Sequence, residues 1–313
     1  MKKLYIYIFF AFIISSCDDF ESVIDLEIPN HQSLLVLNGV LDTDTTTQVT
    51  ISNSVGAFSN ATPYFIPNAN VILYKDNEYI DTLKADLQNP VIADYYSEYN
   101  YQVVPIYYYK SDHQPDKDAQ YRITVSHPNY TSISASTYIP DDIVVYNKEI
   151  DTITNTDKIG LSFSFDDNPN QKNYYRLKVF TACNNNKKVR AYIQSNDPSF
   201  ANQIPIDGYT FEGRVVVFSD ALFNGQQKNI SLDIDVDYDD FGDKAENIDC
   251  DTIMIQFSTF SEDTYDYFSS TDEQREKGFA DIFGGENVPV FSNIENGIGV
   301  LISINAQDIY IKP

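Results

Sequence analysis

The chain has 313 residues, a formal net charge of −25 at pH 7 and a sequence pI near 4.2. Such a surface repels polyphosphate and anionic head groups, which argues against a nucleic-acid-binding role. Apolar residues make up 42% of the chain, including 24 Tyr and 20 Phe, enough to build real cores and too much for a disordered chain.

The N-terminus has a targeting grammar. Lys2 and Lys3 precede an 11-residue apolar run, Leu4 to Ile14, that suits a secretory signal and falls short of the roughly 20 apolar residues a bilayer span needs. Ile14-Ser15-Ser16-Cys17 then resembles the lipobox of bacterial lipoproteins. That resemblance implies cleavage before Cys17 and acylation of Cys17, so residues 1–16 are read as a signal peptide and 17–32 as a lipidated tether. Each buried methylene of such an anchor contributes about 0.8 kcal/mol, so several acyl chains (palmitate among them) hold stably. Asp18, Asp19 and Glu21 follow directly and resemble the surface-export signal of Bacteroidota lipoproteins, which implies an outer-membrane protein facing the cell exterior.

The remaining length suggests about two domains. LLVLNGVL (34–41) and QVTISNS (48–54) read as paired strands. Residues 68–83 read as a hairpin turning at Lys75–Asn77, and 120–140 as a second turning at Pro128–Asn129. A boundary near 140 is expected to separate a β-sandwich (33–140), which resembles the immunoglobulin-like and the carboxypeptidase-regulatory or transthyretin-like sandwiches, from a second β-rich domain (141–313). In that second half 142–153, 158–167, 174–183, 209–220, 228–238 and 251–260 read as strands. Thr259-Phe260-Ser261-Glu262 has capping-box spacing, and aromatic residues recur at helical spacing after it, so a helix is expected over about 260–277, stopped by Gly278. Residues 289–305 read as two strands around Asn296-Gly297. Many short strands between turn signals make the fold class mostly β: two β-sandwich-like domains with one notable helix in the second.

Candidate site residues are few. Cys183 and Cys250 remain once Cys17 is acylated, and an oxidising compartment allows them to pair; two separate buried thiols are the alternative. Asp235, Asp237, Asp239, Asp243 and Glu246 fall at calcium-loop spacing, yet Asp240 stands where such a loop needs Gly. SLDIDVDY also alternates as a strand with Leu232, Ile234 and Val236 inward, so a weak Ca2+ site is the minority reading and no other cofactor is expected. Tyr107, Tyr108 and Tyr109 form a candidate partner or ligand surface, because Tyr gives large contacts at low entropy cost; strand packing is the alternative. His31, His113 and His127 fall in the tether, a loop and a turn, and no nucleophile elbow, zinc-protease helix or phosphate loop occurs, so an enzyme is not expected.

Several pieces line up with a known family. LLVLNGVL, NANVILYKDN, FSDALFNGQQ (218–227), SEDTYDYFSS and FSNIENGIGV (291–300) together resemble the Bacteroidota lipoprotein family DUF4249, over nearly the whole chain. The tyrosine-rich stretch 93–117 and the last residues, SINAQDIYIKP, depart from its pattern. The resemblance implies an outer-membrane lipoprotein that serves a TonB-dependent receptor as a capping or cargo-capturing accessory, and it implies no catalytic activity. A stand-alone adhesin or structural surface protein is the alternative.

Overall fold

A computed structural model describes residues 31–56, 63–97, 100–152, 158–183, 187–200, 209–235, 250–277 and 288–311. The protein is mostly β, with two sheets and one helix among those residues. Its strands are β1 (Leu35–Asp42), β2 (Gln48–Asn53), β3 (Asn70–Lys75), β4 (Glu78–Ser97), β5 (Asn100–Lys110), β6 (Ala119–His127), β7 (Tyr130–Ile139), β8 (Val145–Thr152), β9 (Lys158–Asp166), β10 (Tyr174–Cys183), β11 (Lys187–Arg190), β12 (Tyr192–Ser195), β13 (Phe211–Gly213), β14 (Val216–Ser219), β15 (Gln227–Asp235), β16 (Cys250–Phe260) and β17 (Ile298–Ile311). The helix, α1, spans Glu262–Lys277.

The first core lies between β17-β1-β2-β5 on one side and β4-β3-β6-β7 on the other, with β4 passing from one layer to the other. Residues up to Leu83 of β4 pair with β3, and Lys84 onward pairs with β5. Period-two alternation explains the layering: Val71 and Leu73, then Tyr121, Ile123 and Val125, are fully buried while their neighbours face outward. Asp76 and Asn77 form the β3–β4 turn, both at positive φ (51° and 68°), as a two-residue hairpin loop of matching twist requires.

The second core is aromatic. Phe163, Phe165, Tyr175, Phe218, Phe223 and Phe257 converge between β10-β16 and the five-stranded sheet β13-β12-β15-β9-β8. Tyr175 stacks on Phe257 at 5.6 Å between centroids, and Phe165 meets both rings at 5.1 Å. Such pairs add about 0.5–1.5 kcal/mol each beyond the area they bury.

β17 joins the two halves. Its first part runs parallel to β1 (Ile298–Ile304 beside Val36–Asp42) and its second part antiparallel to β16 (Asn305–Ile311 beside Thr259–Ile253). Ile294 and Leu301 therefore belong to the first core, although they lie far beyond residue 140 in sequence. Residues 289–295 do not form the expected strand. Asn293 stands in for one: its side-chain amide donates to the Leu301 carbonyl (2.8 Å) and its Oδ1 accepts from the Leu301 N–H (2.9 Å). The chain then enters β17 through Gly299, at φ 109°, where a Cβ would lie 2.1 Å from the Leu37 carbonyl oxygen.

The helix begins two residues later than the capping-box spacing suggested. Thr259 is still paired within the sheet, and its hydroxyl donates to the Asp141 carbonyl (3.1 Å). Ser261 takes the cap instead, its hydroxyl accepting from the Thr264 N–H (3.4 Å) and its carbonyl from the Tyr265 N–H (3.1 Å). Thr264 is fully buried and exchanges two hydrogen bonds, each 3.0 Å, with the Ser303 backbone, which fixes α1 against β17.

Candidate functional site

Cys17, Asp18, Asp19 and Glu21 lie outside the described residues, as do Asp237, Asp239, Asp243 and Glu246. Asp235 ends β15, opposite Lys158 on β9 and Tyr192 on β12, and Ile230, Leu232 and Ile234 point inward, as alternation required. Among the described residues no three His, Cys, Asp or Glu side chains gather as metal ligands. The backbone register sets Cys183 opposite Cys250, just after a bulge at Ala182/Cys183, and no disulfide was found among the described residues.

Tyr109 is not a surface residue. It is 2% exposed, donates to the Ile66 carbonyl (2.7 Å) and accepts from the Ala69 N–H (2.8 Å). Tyr107 is half-buried and packs on Phe65 at 5.5 Å. Two of the three nominated rings thus serve strand packing, because β5 is anchored at its C-terminal end by pairing with β2.

The open surface lies further out on the same hairpin. β4 pairs with β3 only as far as Leu83, and β5 pairs with β2 only at Tyr109 and Lys110. Between those limits, among the described residues, Val91–Ser97 and Asn100–Ile106 pair only with each other. The register puts Val91, Ala93, Val104 and Ile106 on one face of this ribbon, and Ile92 and Val103 on the other. Both faces are open: Val91, Ile92, Val103 and Val104 are 41–59% exposed. The paired run Val91–Ser97 alone is about 20 Å long.

A second feature sits on the aromatic half. β10 buries Tyr175, Leu177 and Val179, so Arg176, Lys178 and Phe180 point to the outer face. β11 brings Arg190 opposite Phe180. These three cations line a cleft of about 640 Å³ whose other walls include Val217 of β14 and Tyr265 and Phe268 of α1. Arg176 lies 5.9 Å from the Phe268 ring centre. Burial, then Arg176, then Arg190 push Lys178 down to about 8, and burial also lowers Arg176. Asp272 and Glu273 on the helical rim are engaged by Arg275 (3.4 Å) and Lys277. Asp308 is engaged by Lys188 (3.3 Å) and Gln256 (3.2 Å). Sequence reading missed this cleft. Its available signal was YYRLKVF, which sets two basic residues at i, i+2 on a strand of an acidic chain; Arg190 joins them only through the strand register.

The two motifs that carried the family resemblance build loops. In FSDALFNG, Asp220 is buried and accepts from the Asn173 N–H (2.8 Å), while Gly225, at φ 69°, donates to buried Asp167 (2.7 Å). Tyr175 donates to the other Asp167 oxygen. In SNIENGIG, Asn293, Gly297 and Gly299 shape the entry into β17 described above, and Gly297 has the Leu35 carbonyl oxygen 2.8 Å from where a Cβ would sit. The sequence matches the family described as a domain of unknown function, DUF4249, over residues 21–309. The chain belongs to the DUF4249 family. No curated protein matches it. In this DUF4249 chain no helix among the described residues is long and apolar enough to cross a membrane.

Proposed function

We propose that this protein is a Bacteroidota lipoprotein, acylated at Cys17 and carried to the outer face of the outer membrane, that serves a TonB-dependent receptor as a capping or cargo-capturing accessory. The reading is supported most by the β4–β5 ribbon. A two-stranded ribbon is marginally stable in water on its own, and apolar side chains on both faces invite pairing or packing with another chain. Val91, Ile92, Val103 and Val104 give this ribbon that character in a protein whose net charge is −25. The lipobox sequence Ile14-Ser15-Ser16-Cys17 supplies the anchor and the acidic residues behind it the export signal. The first sandwich, transthyretin-like in this reading, is the platform that holds the ribbon away from the membrane.

The test is a mild-detergent pull-down of the tagged, lipidated protein from its native membrane, with mass spectrometry of what comes along. A stoichiometric TonB-dependent receptor with the wild type, lost when Val91, Ile92, Val103 and Val104 are replaced by Ser, supports the proposal. Absence of a receptor, with the protein still open to protease added to whole cells, would turn the assignment to a stand-alone adhesin or structural surface protein.

A further inference from the structure

We propose that the cleft between the outer face of β10–β11 and α1 is a binding site for a small soluble oxyanion, a carboxylate, sulfate or phosphate carried on a compact body, with the charged group seated on Arg176, Lys178 and Arg190. This does not depend on the receptor assignment, since it rests on the other half of the molecule.

The argument begins with what the cations lack. Among the described residues only three buried side-chain polar atoms have no hydrogen-bond partner: Thr47 Oγ1, Arg176 Nε and Arg190 Nε. Two of the three are guanidinium donors on this one face. Among the described residues the one side-chain hydrogen bond of Arg176 is a long one to the Ser258 hydroxyl, 3.4 Å. An unpaired buried donor costs the desolvation of that group, and more when it is charged. Such a group in a folded protein calls for an explanation, and a bound oxyanion is one that completes it.

The surrounding charges do not supply the missing anion. The charged groups that act on Lys178 are Arg176 and Arg190, both cations. Asp42 acts on Arg176 from β1 without a hydrogen bond or ion pair to it. The helix contributes Asp272, Glu273 and Arg275, and β17 contributes Asp308, whose engagements are given above. In a chain with 46 acidic residues and 21 basic ones, three basic side chains left without a carboxylate on one sheet face form a built feature.

The shape narrows the ligand. A volume of about 640 Å³ falls in the range of small-molecule sites, roughly 300–1,000 Å³. Planar guanidinium groups present paired donors that match the two oxygens of a carboxylate, sulfate or phosphate. Tyr265, Phe268 and Val217 form an apolar wall for the body that carries the acid. The net charge of −25 opposes approach of an anionic lipid surface, so the oxyanion is on a small soluble molecule.

The experiment uses inorganic phosphate, sulfate and glucuronate as probes and glucose as the neutral control, with NaCl holding ionic strength constant. Thermal unfolding and calorimetric titration of the soluble mature chain are the readouts. The wild type gains melting temperature with at least one oxyanion and none with glucose, and affinity falls as pH rises through 8, where Lys178 loses its proton. K178Q and R190Q weaken binding by about tenfold or more, as expected for one charge-assisted hydrogen bond. Both variants melt higher than wild type when no anion is present, an effect that a purely structural role for these residues would reverse. R122Q, at a cation stacked on Tyr74 in the first sandwich, keeps full binding. A wild type that responds no more than to NaCl overturns the site, and so does a response that survives in both K178Q and R190Q.

Discussion

The two sandwiches solve the same packing problem with different materials, and that difference sets what each presents outside. Among the described residues the first fills its interior with Leu, Ile, Val and Ala and two buried tyrosines, Tyr109 and Tyr121. β4 runs on past this core as a ribbon with β5. The second packs six large rings around Tyr175 and Phe257. On the opposite side of the same strand that buries Tyr175, Leu177 and Val179, it displays Arg176 and Lys178. One half therefore extends an exposed apolar ribbon, and the other holds a cationic recess. β17 is the element that makes them one sheet.

The sharpest way to break the comparison is in the aromatic core. Phe257→Ala removes a ring in contact with Phe163, Phe165 and Tyr175 and should cost about 3–5 kcal/mol in denaturant unfolding, with loss of the tyrosine near-ultraviolet signal. Leu37→Ala in the aliphatic core should cost about 2–5 kcal/mol and leave that signal largely in place. Next comes the join. Gly299→Ala forces a Cβ against the Leu37 carbonyl at a positive φ, and should cost about 2–3 kcal/mol while separating one unfolding transition into two, as the parallel β1–β17 pairing weakens.

A third test concerns Cys183 and Cys250. Directly opposed residues in an antiparallel pair have Cα atoms about 4.5–5.5 Å apart, within the range a disulfide accepts. If they pair in the oxidised protein, Cys183→Ser should lower stability by up to about 4 kcal/mol, and reduction should slow gel mobility. Equal mobility with and without reductant, together with two labelled thiols, would leave them as separate cysteines.

The smallest stability effect is at Lys178. Its folded pKa, about 8, lies below the unfolded value, so the unfolded chain binds more protons between about pH 8 and 10 and stability rises with pH there. Lys178→Met should flatten that rise and stabilise the protein at neutral pH by on the order of 1 kcal/mol, after discounting for the side chain's partial exposure.

Much of this architecture was legible in the sequence because local rules governed it. Alternating apolar residues gave β1, β2, β6, β7, β9 and β10, and the Asp76-Asn77 turn and the aromatic helix announced themselves by residue type. What escaped was set by long-range pairing. That Thr259 would stay in the sheet depended on Tyr175 and Asn305 beside it, so the cap passed to Ser261. That 289–295 would form no strand, only a single bridge from Glu295 to Ser134, depended on the Asn293 side chain taking the place of one. Tyr109 read as surface because its three-tyrosine run cannot show which ring the Ile66 carbonyl will claim. The basic cleft was half visible as Arg176 and Lys178, and its third cation arrived only with the β10–β11 register.

The central claim is that the ribbon is the docking arm, and site-specific photo-crosslinking in living cells addresses it most directly. A photoreactive residue would replace Val91 or Val103 on the ribbon, and in parallel Leu222, which is 63% exposed on the second sandwich. The account predicts one crosslinked product from both ribbon positions, containing a TonB-dependent receptor, and no such product from Leu222. No product from the ribbon, or the same product from Leu222 alone, would contradict it.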